Sequence, residues 1–468
     1  MKTLVLGSAA REHAIVRGLL ADPEVASVDV APGNPGMAQI ATHHPLPGGL
    51  TDVVAICSLA TDVQADLIVI GPEAPLVAGV ADALRDEGFT VFGPSREAAQ
   101  LEGSKAFAKD VMAAANVPTA HCYVCTIAAE ARAALEATGL PYVVKNDGLA
   151  AGKGVVVTEE IDDALAHAQA CFDDGGQVVI EEFLDGPEVS LFCVTDGEVI
   201  VPLSPAQDFK RIGDEDVGLN TGGMGAYSPL PWVPDDLIKR VVVHVAQPTV
   251  DEMQRRGTPF VGVLYIGLAL TSAGPHVIEF NARFGDPETQ VVLARLRTPL
   301  GGLLTAAAQG TLEQHAPLTW RDDCAVTVVV ASAGYPGFSR TGDLINGLPE
   351  AASNSYVLHA GTALDAEDRL VSAAGRVLSV VGLGETLQAA RDTAYDVVSQ
   401  MQLAGSQYRS DIAAKAARGQ ITAPRSSRTT TNEVVIRDEL SSHVMCYCRM
   451  SSVKRILKGW PSLEILIG

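Results

Sequence analysis

Four short apolar runs in the first hundred residues constrain the fold most. They fall at 3–7 (TLVLG), 27–31 (SVDVA), 67–71 (LIVIG) and 90–92 (TVF). Each is too short for a helix and rich in aliphatic or β-branched residues, so each reads as a buried strand. Helix-type segments at 12–20 and 77–87 separate them. Strands alternating with helices predict a parallel sheet covered on both faces, with ligands at the carboxyl ends of the strands. Three loops leave those ends: 7–13 (GSAAREH), 31–36 (APGNPG) and 71–75 (GPEAP). The first can hold a phosphate at a helix N-terminus, with Arg11 adding charge. It lacks the later glycines of a dinucleotide fingerprint, which argues against nicotinamide. His13, with no nucleophile beside it in sequence, reads as a cap or packing residue.

The 468 residues divide into two to four compact units, at about 100–200 residues each. A net charge of −22 argues against a general nucleic-acid binder, though local lysines can still serve an anionic small molecule. No apolar run reaches the roughly 18 residues of a spanning helix and no signal segment opens the chain, so a cytoplasmic protein is expected. The eight cysteines read as reduced thiols. Cys122 with Cys125, and Cys446 with Cys448, lack second pairs at zinc-finger spacing and read as buried or incidental.

Further along, charged groups collect at strand ends and glycine loops. Ser104 is placed to cap a helix over 105–115. Lys105 then sits on a first turn, where the macrodipole favours anions, so it either serves an anionic ligand or is simply solvated. A strand at 142–145 ends in Lys145, and the loop 146–154 (NDGLAAGKG) leads to a strand at 155–158. Gly148, Gly152 and Gly154 let backbone N–H groups approach phosphates, with Lys153 adding charge. The spacing is not that of a P-loop. The strand at 177–184 ends in Glu181 and Glu182, followed by Phe183 and Leu184. It offers an edge for a flat base, with Glu188 in reach of ribose, or it is a solvated strand end. The polar segment 207–225 holds Asp208, Lys210, Arg211, Asn220, Thr221, Gly222 and Gly223, which suit a zwitterionic or phosphorylated substrate or a surface loop.

The hairpin 259–281 turns at 272–274. Its second strand puts Glu279 and Asn281 on one face, with Arg283 after them, and aims Ile278 and Phe280 at a core. A carboxylate and an amide side by side suit a hard cation carrying phosphates. Asp286 and Pro287 read as the cap and first residue of a helix to Arg297, with Glu288 a first-turn charge. From Cys324 on, short strands and a helix at 386–401 predict a small α+β unit. The turns at 334–337 (GYPG) and 359–362 (HAGT) read as backbone-shaping. No motif lies beyond Gly419.

Taken in order, these pieces resemble the glycinamide ribonucleotide synthetases, a branch of the ATP-grasp family. The matching motifs are REHA (11–14), GPEAPLV (71–77), LEGSKAF (101–107), KNDGLAAGKGV (145–155), EEFLDGPE (181–188), NTGGMGAYSP (220–229), EFNARFGDPETQ (279–290), GYPG with RTGD (334–343) and HAGT (359–362). The resemblance covers about residues 1–418. It implies an α/β, biotin-carboxylase-like parallel-sheet domain over 1–103 and an ATP-grasp domain over 104–318, whose mobile subdomain spans about 118–190. A small α+β domain over 319–419 and a tail over 420–468 follow.

By the same resemblance, ATP lies between two sheets. Lys105 and Lys145 meet its phosphates, and the flap carries Gly148, Gly152, Lys153 and Gly154. Glu181, Glu182, Phe183 and Leu184 edge the adenine, and Glu188 meets the ribose. Glu279 and Asn281 hold Mg²⁺ or Mn²⁺. Arg283, Lys145 and Asp208 serve catalysis. Arg11, Glu12, His13, Gly33, Asn34, Pro72, Glu73, Lys210, Arg211, Asn220, Thr221, Gly222 and Gly223 bind substrate. The implied reaction joins glycine to 5-phosphoribosylamine through a glycyl phosphate, in a monomer without nucleic-acid or membrane partners. Other ATP-grasp ligases or carboxylases, and a nucleotide-binding homologue with impaired catalysis, stand as alternatives. The chain departs from its relatives at Ala9 and Ala10, where glycine is usual and a methyl group narrows the phosphate cradle, and at Asn146.

Overall fold

In the computed structural model of the chain, residues 1–149 and 154–424 are described. The tail expectation and the Cys446–Cys448 pair therefore fall almost wholly outside the described residues. The N-terminal sheet is parallel throughout, in the order Thr42–His43, Ser27–Pro32, Lys2–Gly7, Leu67–Ile70, Val91–Phe92. Leu4, Val5, Leu6 and Ile68 have no exposed surface, as strands covered on both faces require. The strand order reverses between Lys2–Gly7 and Leu67–Ile70. The loops after these two strands therefore open onto one crevice. The helix expected at 77–87 is two short helices, Glu73–Ala78 and Val80–Asp86, meeting at Gly79.

Two antiparallel sheets form the middle of the chain. One runs Cys122–Cys125, Val178–Glu181, Tyr142–Asn146, Val155–Thr158. Helices Ala128–Thr138 and Ile161–Asp173 pack on it around a core of its own, with Leu135, Val144, Ala168 and Ile180 buried. Cys122 and Cys125 stand three residues apart on one strand, so their side chains leave opposite faces. Burial pushes both thiols above their ordinary value, as befits inert protonated cysteines.

The other sheet runs Ile200–Pro202, Glu188–Asp196, Val261–Thr271, Gly274–Asn281. Its last two strands are the expected hairpin. Phe280 is buried as expected, but Ile278 is only half-buried. Gly267 pairs with Glu279 and Leu268 with Val277, so Ile278 is the extra residue of a β-bulge. Bulges re-aim groups beside functional sites. Here the freed Ile278 carbonyl accepts a hydrogen bond from Lys145 Nζ at 3.0 Å.

The final sheet runs Gln207–Asp208, Gly225–Ser228, Cys324–Ala331, Arg376–Gly384, Ser355–His359, with helix Leu387–Val398 against it. Two of its strands, Gln207–Asp208 and Gly225–Ser228, begin in the polar segment 207–225. That segment is therefore not a loose surface loop but the seam between the central and C-terminal units. Among the described residues, no helix is long and apolar enough to cross a membrane.

Candidate active site

The N-terminal crevice is built around Glu12. It has no exposed surface, accepts the Ala9 N–H at 2.8 Å and pairs with Arg11. A Cβ on Gly71 would come within 2.1 Å of Glu12 Oε1, so only glycine lets the second loop close over this carboxylate. Glu12 thus reaches a ligand only through Arg11 and the loop backbone. Ala9 has φ −87° and ψ 178°, extended backbone that alanine adopts without strain, and the Ala10 methyl packs against Leu358 and Val381. Gly33 forms the next turn, its N–H donating to Gly7 O at 3.1 Å.

The C-terminal unit reaches into this crevice. Asn34 Nδ2 donates to Ser8 O at 2.9 Å and to His359 O at 2.8 Å. The His359 N–H donates to His13 Nδ1 at 3.0 Å, which leaves the ring proton of neutral His13 on Nε2. Burial, with His359 and Arg17 adding, lowers His13 to about 3, and burial lowers His359 to about 4. Both rings are neutral near pH 7. The HAGT turn therefore does more than shape backbone: it carries His359 to residues more than three hundred positions away.

Pro72 leads into helix Glu73–Ala78, and Glu73 turns to Arg283. Arg283 Nε lies 3.1 Å from Glu73 Oε2, and Nη2 lies 2.7 Å from Glu102 Oε1. Burial favours a neutral guanidine, but Glu102 and Glu73 raise Arg283 above its ordinary value. Burial also works to raise Glu73, yet Arg283 and Arg11 hold it low, whereas burial wins at Glu102. Arg283 is thus a fixed cation joining the N-terminal loops to the hairpin. Within LEGSKAF, Glu102 carries no sequence signal of this role, because a carboxylate before a serine cap has no distinctive spacing.

Between the two central sheets the lysines converge. Ser104 caps helix Lys105–Ala114, its Oγ accepting from the Phe107 N–H at 3.1 Å. Lys105 Nζ donates to Gly148 O at 2.9 Å, at the start of the flap, and Gly154 O closes the flap's other end by accepting from the Asn146 N–H at 2.7 Å. Gly152 and Lys153 lie outside the described residues. Asp147 receives the Ala106 N–H at 3.1 Å and Ser104 Oγ at 3.1 Å, tying the flap base to the helix. Lys145 Nζ lies 3.0 Å from Glu181 Oε1. The strand ends at Glu181, and Glu182 and Phe183 are exposed with Leu184 half-buried, which leaves an edge open to a base.

Glu279 and Asn281 share one strand face as expected. Burial works to raise Glu279, but Lys210, Lys145, Lys105 and Arg283 overcome it and hold the carboxylate low. Lys210 pairs with Glu188, the expected ribose contact. Burial opposes the charge on Lys210, yet Glu188 and Asp208 raise it well above its ordinary value. Asp208 is pushed up to about 8 by burial, with Glu288, Glu188 and Glu279 adding and Lys210 opposing. Glu288 stands in the first turn of helix Glu288–Arg295 as expected; it is 3% exposed and accepts from Tyr265 Oη at 2.9 Å and Ser190 Oγ at 3.2 Å.

Asp286 does not cap the following helix. That helix spans Glu288–Arg295 without a side-chain cap, and Asp286 Oδ2 instead lies 3.1 Å from Arg376 Nη2. Arg376 Nη1 also donates to Asp286 O at 2.8 Å and Gly222 O at 2.6 Å. Tyr335, from the GYPG turn, accepts the Gly222 N–H at 2.9 Å. Gly223 has φ +104° and lies against Pro287, where a Cβ would come within 2.4 Å. Thr221 Oγ1 donates to Lys210 O at 2.8 Å, and Asn220 pairs with Arg211 across a short hairpin. The C-terminal unit therefore holds the 220–223 loop in place.

Two facing antiparallel sheets, a lysine on each side of the cleft and a carboxylate–amide pair at its end define an ATP-grasp enzyme. Comparison with known proteins narrows this. The models of the phosphoribosylglycinamide synthetase N domain, ATP-grasp domain and C domain match residues 1–102, 103–289 and 325–415. A phosphoribosylamine–glycine ligase of Streptomyces coelicolor is 63% identical over 421 residues, 89% of this chain and 100% of that protein. One from Mycobacterium tuberculosis is 55% identical over 427 residues, 90% of this chain and all of its own. A crystal structure of the Thermotoga maritima phosphoribosylamine–glycine ligase is 34% identical, with TM-score 0.76, and covers 88% of this chain and 100% of that one. A biotin carboxylase from Campylobacter jejuni shares the fold at TM-score 0.67 and 15% identity, over 87% of this chain and 92% of its own. The chain belongs to the phosphoribosylglycinamide synthetase family.

Proposed function

We infer that the protein joins glycine to 5-phosphoribosylamine, converting ATP to ADP and phosphate and giving glycinamide ribonucleotide for de novo purine synthesis. The observation that carries this is the convergence of Lys105, Lys145, Lys210 and Arg283 on Glu279, in a cleft flanked by the N-terminal crevice. A carboxylate is a poor electrophile. A glycine carboxylate oxygen therefore takes the γ-phosphoryl group of ATP and ADP leaves. The amine of phosphoribosylamine then attacks the glycyl carbonyl, phosphate departs, and the amine's proton passes to solvent or a nearby base.

No side-chain nucleophile is required, so positioning and charge neutralisation do the catalysis. Lys105 and Lys145 neutralise the phosphates, the flap 146–154 excludes water, and the backbone of Glu181–Leu184 edges the adenine. Arg283, held by Glu73 and Glu102, faces the acyl phosphate, and Asp208 with its raised pKa is placed to exchange a proton. Arg11, Asn34, Gly33 and the 71–73 loop receive the phosphoribosyl group. Lys210, Arg211 and the 220–223 loop complete the substrate side.

Among the described residues, no three His, Cys, Asp or Glu side chains gather to hold a metal by themselves. That fits an ion carried by nucleotide phosphates, which takes only one or two protein oxygens. Glu279 and Asn281 are such hard donors, and they would hold Mg²⁺ or Mn²⁺. When bound, the ion supplies further neutralisation of phosphate charge. The protein acts as a cytoplasmic monomer without nucleic-acid partners.

The test is ADP release with substrates omitted singly. Sustained ADP release over many turnovers should require both glycine and phosphoribosylamine. Release driven by bicarbonate or by another amino acid would overturn the assignment.

A further inference from the structure

Lys109 has no part in the site as described so far. It lies one turn after Lys105 on helix Lys105–Ala114 and is 7% exposed. Its Nζ lies 3.1 Å from Glu181 Oε2 and donates to Thr119 Oγ1 at 2.8 Å and Ala120 O at 3.3 Å. The other oxygen of Glu181, Oε1, lies 3.0 Å from Lys145 Nζ. One carboxylate is thus gripped by two ammonium groups, and all three side chains are buried. The cluster is anchored across the cleft. Thr119 Oγ1 donates to Val277 O at 2.6 Å and Lys145 Nζ to Ile278 O at 3.0 Å, consecutive carbonyls of the strand that bears Glu279.

The charges decide what this arrangement can do. Lys145 and Glu181 alone make a closed pair with no net charge. Such a lysine offers little field to a phosphate, because its carboxylate partner cancels it at a distance. Adding Lys109 brings the cluster to one net positive charge. We propose that Lys109 is a positioning residue for nucleotide: it takes up the charge of Glu181, so that Lys145 keeps a full positive charge for the ATP phosphates. Thr119 fixes the distance by tying Lys109 to the facing sheet. This rests on Lys145 being a phosphate lysine.

The test compares Lys109→Met, Lys109→Arg and the double variant Lys109→Met with Glu181→Gln. Binding of ATP and of adenosine is measured by calorimetry, and KM for ATP and kcat by ADP release. Lys109→Met should weaken ATP binding and raise KM for ATP roughly tenfold or more, as loss of a buried unit charge implies. Adenosine binding should stay within a factor of about two, because it carries no phosphate. Lys109→Arg should stay near wild type, and Glu181→Gln in the Met background should recover most of the loss by restoring the net charge. Equal weakening of ATP and adenosine, unchanged ATP affinity, or no recovery in the double variant would overturn the proposal. If Lys109→Met does not fold, Lys109→Gln, which keeps a donor to Thr119, takes its place with the same expectations. A wild-type protein that bound no ATP would instead sink the reading of Lys145.

Discussion

Arg376 offers the sharpest check on how the C-terminal unit serves the site. Replacing it with alanine removes a donor to Gly222 O at 2.6 Å, a donor to Asp286 O at 2.8 Å and the ion pair to Asp286 Oδ2 at 3.1 Å. Hydrogen bonds from charged groups contribute about 1.5–3 kcal/mol each and do not simply add. Breaking a buried pair from one side costs about 3–5 kcal/mol. The Arg376 side chain is 22% exposed, so water relieves part of the loss. A local cost of about 3 kcal/mol follows, at the lower end of that range. It falls on the 220–225 loop rather than on the whole molecule, because the bonds lost join that loop and Asp286 to the C-terminal unit, beside the Tyr335 contact.

The assay is native-state hydrogen exchange at the Thr221 and Met224 amides, which donate to Lys210 O and Phe209 O at 2.7 Å each. At 1.4 kcal/mol per factor of ten, exchange there should quicken roughly a hundredfold. Amides of the N-terminal sheet should be unchanged. KM for phosphoribosylamine should rise more than KM for ATP. Exchange within about threefold of wild type at both amides would refute the clamp, given the size of the bonds removed.

Glu279→Gln should raise the metal concentration needed for half-maximal activity by roughly 10- to 100-fold, the usual scale for a lost metal-site partner. It should also tighten metal-free ATP, since three lysines lose their carboxylate. Unchanged metal activation would remove Glu279 from the metal site. The buried neutral His13 and His359 have lowered values in the fold, so their stability contribution is full above the unfolded value near 6.5 and is lost as pH falls below it. Each should cost about 2 kcal/mol by about pH 5, measured as unfolding free energy against a His359→Gln variant. A parallel pH profile in the two proteins would contradict this. A chain ending at Pro424 should keep full ADP-release activity. A cut after Gly419 should lower stability slightly, because Ile421 and Ala423 still pack on the core. Loss of activity on removing residues 425–468 would assign them a role.

The sequence by itself determined the local matters. The apolar runs set the parallel strands, Ser104 set its cap, and strand parity put Glu279 and Asn281 on one face. These depend on neighbours a few residues away, where side-chain period and cap chemistry operate. The motifs also pointed to the lysines and the flap. Tertiary structure alone decided where buried charges find partners. Asp286 has the signature of a cap, yet Arg376, ninety residues on, competes for it and wins. Glu288 reads as a first-turn charge, and only the fold brings Tyr265 and Ser190 to it. His359 and Glu102 carry no spacing signal, because their partners are set by the path of the chain. Ile278 leaves its expected inward position because a bulge turns its carbonyl to Lys145. A buried ionic group must be satisfied by whatever the fold brings near it. That demand is global, and no local period records it.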